Sequence, residues 1–86
     1  MSEEVMVGDI IKFFAKPSVA AIKVTEGKLK VGDELHFKGA TTDFSEVVES
    51  MEVDNNPVTE AGPGDLVGIK VGERVRPGDK VYKVSS

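Results

Sequence analysis

His36 is the only histidine and cysteine is absent, so acid–base, nucleophilic or thiolate chemistry has a single imidazole and no thiol to draw on. A catalytic triad or a structural zinc site needs more than that. The remaining residues with chemical capacity are carboxylates and amides, and Glu49, Glu52, Asp54, Asn55 and Asn56 crowd one stretch. Their order is not the D-x-[DN]-x-[DN]-G-x₅-E of a calcium loop. That stretch therefore reads as a solvated loop, and His36 as an outward-facing strand residue. Two glycine patterns also fail on inspection. Gly27 to Gly32 has the spacing of a phosphate-binding P-loop, but Asp33-Glu34 follows where Lys-Ser/Thr is needed, and two carboxylates repel a phosphate. Gly62-Pro63-Gly64 with Gly68 leads into a strand instead of joining a strand to a helix, unlike a dinucleotide fingerprint. No catalytic residue, metal ligand or cofactor is assigned. The expectation is a non-catalytic binding protein.

Any such binding surface must be carried by a small scaffold. A chain of 86 residues is the size of one domain, read here as 1–86 with its core between about 5 and 84, and folding at this length buries roughly two-thirds or less of the unfolded surface. The net charge of −4 is unevenly spread. Met1 to Lys38 carries six acids and six lysines, Gly39 to Ile69 seven acids and no base, and Lys70 to Ser86 five bases and two acids. Phosphate binding rests on Lys and Arg, so the middle third is unsuited to nucleic acid and any basic contact involves the two ends. Apolar runs such as Val19 to Ile22 are far shorter than a membrane span, and no leader pattern opens the chain. A soluble, cytoplasmic protein without a membrane partner is expected.

The elements that position these residues are strands. Val5, Val7, Ile11 and Phe13 alternate with Met6, Ile10 and Phe14, which predicts a first strand with two distinct faces. Ser18 to Thr25 reads as a second, Leu35 and Phe37 mark a third, Phe44 to Met51 a fourth with Phe44 and Val48 opposite Val47 and Met51, Leu66 to Val71 a fifth, and Val81 to Val84 a sixth. The pair Gly-Asp recurs at Gly8-Asp9, Gly32-Asp33, Gly64-Asp65 and Gly78-Asp79, and Pro63 and Pro77 precede the last two. Glycine after proline suits a type II turn, and the aspartate can bond nearby backbone N–H groups. Gly32, Asp33, Gly64, Asp65, Gly78 and Asp79 are accordingly read as turn devices. Short strands punctuated this often predict an all-β antiparallel barrel, closed to remove its edges.

Longer matches carry a family resemblance. Gly27-Lys-Leu-Lys-Val-Gly-Asp-Glu-Leu35, Val48-Glu-Ser-Met-Glu52, Pro57-Val-Thr-Glu-Ala61, Gly64-Asp-Leu-Val-Gly-Ile69 and Val75-Arg-Pro-Gly-Asp79 resemble, in order, motifs of the second domain of translation GTPases. That domain is the β-barrel of elongation factor Tu, its archaeal and eukaryotic counterparts, and initiation factor two. The resemblance implies a six-stranded Greek-key antiparallel barrel without the GTPase domain, so no nucleotide is expected. It further implies contact with the ribosome or tRNA, and places Ile11, Lys16 and Glu52 near the family's pocket for the aminoacylated 3′ end. Lys12, Lys16, Lys23, Arg74 and Arg76 are the candidate RNA contacts. The alternative is a protein-interaction or accessory barrel with an unrelated protein partner.

Overall fold

The computed structural model describes residues 3–85, which form strands, turns and loops without a helix. In chain order the strands are β1 (Glu3–Phe14), β2 (Val19–Val24), β3 (Leu29–Lys30), β4 (Glu34–Lys38), β5 (Asp43–Val47), β6 (Met51–Val53), β7 (Asn56–Val58), β8 (Glu60–Ala61), β9 (Leu66–Lys70) and β10 (Lys80–Ser85). Eight make one antiparallel sheet in the order β5-β4-β10-β1-β2-β9-β6-β7, and β3 pairs with β8 apart from it. The expected six strands are thus ten hydrogen-bonded segments. The three extra short ones, β3, β7 and β8, are too brief to show alternation.

The remaining difference lies in how the chain passes from one end of the sheet to the other. The predicted fourth strand is broken into β5 and β6, and these consecutive segments pair at opposite ends of the sheet, β5 with β4 and β6 with β9. One kinked stretch of chain therefore joins the first strand of the sheet order to the far side. At the kink, the Val48 N–H donates to the Asp33 carbonyl at 2.9 Å and the Val48 carbonyl accepts from Gly32 N–H at 2.8 Å. Val48 and Met51, three residues apart, are both buried while Val47 is 54% exposed. The assignment of Val47 and Met51 to one face is corrected by this break.

Regular strands follow the period-two rule. Ala20, Ile22 and Val24 of β2, Leu35 and Phe37 of β4, and Val67 and Ile69 of β9 face inward and are buried. Each fully buried aliphatic side chain stabilises the fold by about 1.5–3 kcal/mol before entropy is counted. Phe37 stacks on Phe44 with ring centroids 5.0 Å apart. β1 departs from the rule because its register shifts twice, between Met6 and Gly8 against β10 and between Ile10 and Lys12 against β2. Each bulge adds a residue and resets the phase. Val7 and Ile10 are consequently buried, with Phe13 packed beside them, whereas Val5 and Ile11 are exposed. Among the described residues no helix is long and apolar enough to cross a membrane.

Candidate functional site

The outward faces of β2, β9 and β6 form a continuous row. Ala21 pairs with Gly68, and Gly68 with Glu52. Alternation turns these residues away from the core, and the two small ones leave the surface low. The result is an open groove of about 430 Å³ with Val19, Ala21 and Gly68 on its floor. Phe14, at the end of β1, and Leu66, at the start of β9, stand on its walls at 44% and 54% exposure. Lys16 reaches it from the β1–β2 turn, and Glu52, Asp54 and Asn55 border it. Asp54 and Asn55 are the turn of the β6–β7 hairpin, with φ of 52° and 64°. Two successive left-handed residues match the twist of a two-residue hairpin, and Asp and Asn tolerate that conformation better than most. The groove thus joins an apolar floor to one cation and two carboxylates.

A second concavity lies beside the loop from β9 to β10. Lys12, Phe13, Arg74, Val75, Arg76 and Pro77 line a depression of about 470 Å³. Of the five predicted basic contacts, Lys12, Arg74 and Arg76 come together here, Lys16 belongs to the first groove, and Lys23 is paired across the sheet with Asp9. Lys16 and Glu52 share the first groove, while Ile11 sits exposed at the β1 bulge and does not line it. The groove floor and its apolar walls were missing from the sequence reading. Their signal was large apolar residues at outward strand positions.

The Gly-Asp turns share one construction. In Lys30–Asp33, Gly62–Asp65 and Arg76–Asp79 the aspartate N–H donates to the carbonyl three residues back, at 3.0, 3.1 and 3.0 Å. Its carboxylate accepts from the N–H of that same residue, at 2.8, 2.9 and 2.9 Å. Gly32, Gly64 and Gly78 have φ of 98°, 92° and 93°, where a side chain is strained. Each aspartate thereby braces its own turn, and Asp33 also pairs with Lys83 at 3.3 Å.

His36, on the outer face of β4, is held on both sides. Its Nδ1 meets the Glu4 carboxylate at 2.8 Å and its Nε2 meets Asp43 at 2.5 Å. Both ring nitrogens are occupied, which leaves none to activate a nucleophile or bind a metal. Among the described residues no group of three or more His, Asp or Glu is arranged to hold a metal ion.

Comparison with known proteins agrees with this geometry. Residues 18–74 match the family model for elongation factor Tu domain 2. The chain is 39% identical over 92% of its length to an uncharacterised protease of Methanocaldococcus jannaschii, and 35% identical over 94% to a collagenase of Porphyromonas gingivalis. It is 36% identical over 73% of its length to elongation factor 1-alpha of Pyrococcus horikoshii. It spans 19%, 20% and 16% of those three proteins, a fifth or less of each. In fold it is similar to the C-terminal domain of a Geobacillus thermoleovorans protein described as a U32 peptidase, with a TM-score of 0.87 at 22% identity, covering 92% of this chain and 99% of that domain. With two-thirds of its residues matched by that model, the chain belongs to the elongation factor Tu domain 2 family.

Proposed function

We propose that the chain is a non-catalytic accessory barrel that docks a protein segment in the groove between Phe14 and Leu66. The observation that carries this reading is the groove itself. Its floor is apolar, its walls present two exposed hydrophobic side chains, and its charges are of both signs. A peptide supplies apolar side chains and charges of either sign, while a phosphate backbone is repelled by Glu52 and Asp54. The relatives named as a protease and a collagenase support the accessory role, since a barrel of this kind makes up about a fifth of each. Such a module positions a catalytic unit or its protein substrate without doing chemistry. Affinity capture from a nuclease-treated extract tests the reading. A protein partner should survive nuclease, and Phe14→Asp with Leu66→Asp should weaken its binding by about tenfold or more, as loss of central apolar anchors does. Loss of every partner on nuclease treatment overturns it.

A second reading is favoured by the gathering of Lys12, Arg74 and Arg76 in one depression. It makes the chain a module that touches ribosomal or transfer RNA, as the likeness to elongation factor 1-alpha suggests. Binding to ribosomal subunits and bulk tRNA should then fall with salt and with charge reversal at Lys16 and Arg76. Affinity unchanged by that reversal overturns it.

A further inference from the structure

The loop carrying Arg74 and Arg76 is fixed in place. Val75 is 1% exposed, while Arg74 and Arg76 on either side of it are exposed. Gly78 N–H donates to the Ile10 carbonyl at 2.9 Å, and Ile10 N–H donates to the Asp79 carbonyl at 2.8 Å, which staples the turn to β1. The Arg76 N–H is held by the Asp79 carboxylate at 2.9 Å. Lys12 reaches the same depression from just beyond the second β1 bulge, and its ammonium lies 5.0 Å from the Phe14 ring centroid. Lys12, Arg74 and Arg76 thus line one concavity from backbone anchored by hydrogen bonds or burial, with the Lys12 ammonium resting over Phe14 at its edge.

These cations are not neutralised internally. Among the described residues none of the three takes part in an ion pair. Of the carboxylates beside these residues in the chain, Asp79 is committed to its own turn, and Glu73 forms no ion pair with them among the described residues. The like charges of Arg74 and Arg76 beside one concavity repel until an anion enters, and the flexible Lys12 stem lets its ammonium leave the Phe14 ring to join them. A single carboxylate satisfies one guanidinium fork, whereas a terminal phosphate or pyrophosphate has oxygens for two forks and an ammonium together, and a nucleic-acid strand, with two free oxygens per diester, offers successive phosphates to them.

We propose that Lys12, Arg74 and Arg76 form a binding site for a phosphate group, supplied either by a free phosphate ester or anhydride or by a nucleic-acid backbone. The nucleic-acid source rests on the RNA reading above, and the free source does not.

The test is a titration of the ¹⁵N-labelled 86-residue chain at constant ionic strength, with sodium pyrophosphate in one arm and a single-stranded oligouridylate in the other. Amide shifts are expected at residues 12–13 and 74–79 in at least one arm. Arg74→Ala with Arg76→Ala should weaken that binding by about tenfold or more and leave the remaining amide spectrum in place, since both side chains are exposed. With the oligonucleotide titration repeated at several salt concentrations, the same pair should reduce the salt slope by about 1.4. No localised shift in either arm, or binding unaffected by the double substitution, overturns the site. Equal binding of hexaglutamate also overturns it, in favour of an acidic peptide. Pyrophosphate binding here without oligonucleotide binding upholds the site and defeats the RNA reading. Oligonucleotide binding that ignores Arg74 and Arg76 but is lost with Lys16→Glu and Lys23→Glu overturns the nucleic-acid source at this site and moves RNA contact to another face.

Discussion

Two carboxylates from different strands, Glu4 of β1 and Asp43 of β5, grip His36. Only the imidazolium has a donor for each. The hydrogen bond to Asp43, then that to Glu4, raises the His36 pKa above its ordinary 6.5, and the His36 bond lowers Asp43 from 3.8. Because the folded value for His36 exceeds the unfolded one, its contribution is complete below pH 6.5 and is lost as pH rises through the raised value. Asp43 behaves oppositely: its contribution is present above pH 3.8 and is lost as pH falls through the lowered value. The contact therefore stabilises most between those two limits. Urea midpoints should decline on the alkaline side, and His36→Gln should remove that decline. Asp43→Asn should lower the His36 pKa, read by NMR, more than Glu4→Gln does. The sequence placed His36 on an outer strand face but gave no sign of Glu4, which is 32 residues away and meets it only because β10 brings β1 and β4 to either side of itself.

At the level of elements, the three reciprocal turns set where β4, β9 and β10 begin. Asp79 is 6% exposed, and its carboxylate lies where a Cβ on Gly39 would fall. Asp33 is less enclosed, at 19% side-chain exposure, and is shared with Lys83 at 3.3 Å. Asp79→Ala, which orphans the Arg76 N–H, should cost about 1–3 kcal/mol, and Asp33→Ala less, as measured by urea unfolding. Gly39→Ala should approach the Asp79→Ala loss, because the new methyl group expels the same carboxylate. Gly8→Ala should also be destabilising, since its Cβ meets the rigid Lys23 carbonyl of the neighbouring strand. Turn positions were legible because glycine, proline and aspartate act on their nearest neighbours. Bulges were not, since an extra residue is defined only against a partner strand. Ile11 illustrates this: alternation put it with Val7, and the bulge put it outside.

Across the whole molecule, residues distant in sequence are gathered around separate concavities. Glu52 and Asp54 border one groove, and the cations of the β9–β10 loop face the other depression. The barrel class was legible from strand and turn rhythm together with the family motifs. The groove was not, because its floor depends on the register that sets Ala21, Gly68 and Glu52 side by side across three strands distant in sequence. The same pairing geometry has a mechanical consequence. β1 and β10 are antiparallel neighbours, with Glu3 opposite Ser85. A pull that separates those two residues loads the bonds of that pair one after another, from the open end inward, in place of shearing them all at once. Tethered through these residues, the barrel should yield at low force by unzipping. Tethered through Glu3 and Lys80, at opposite ends of the same pair, it should resist far more strongly.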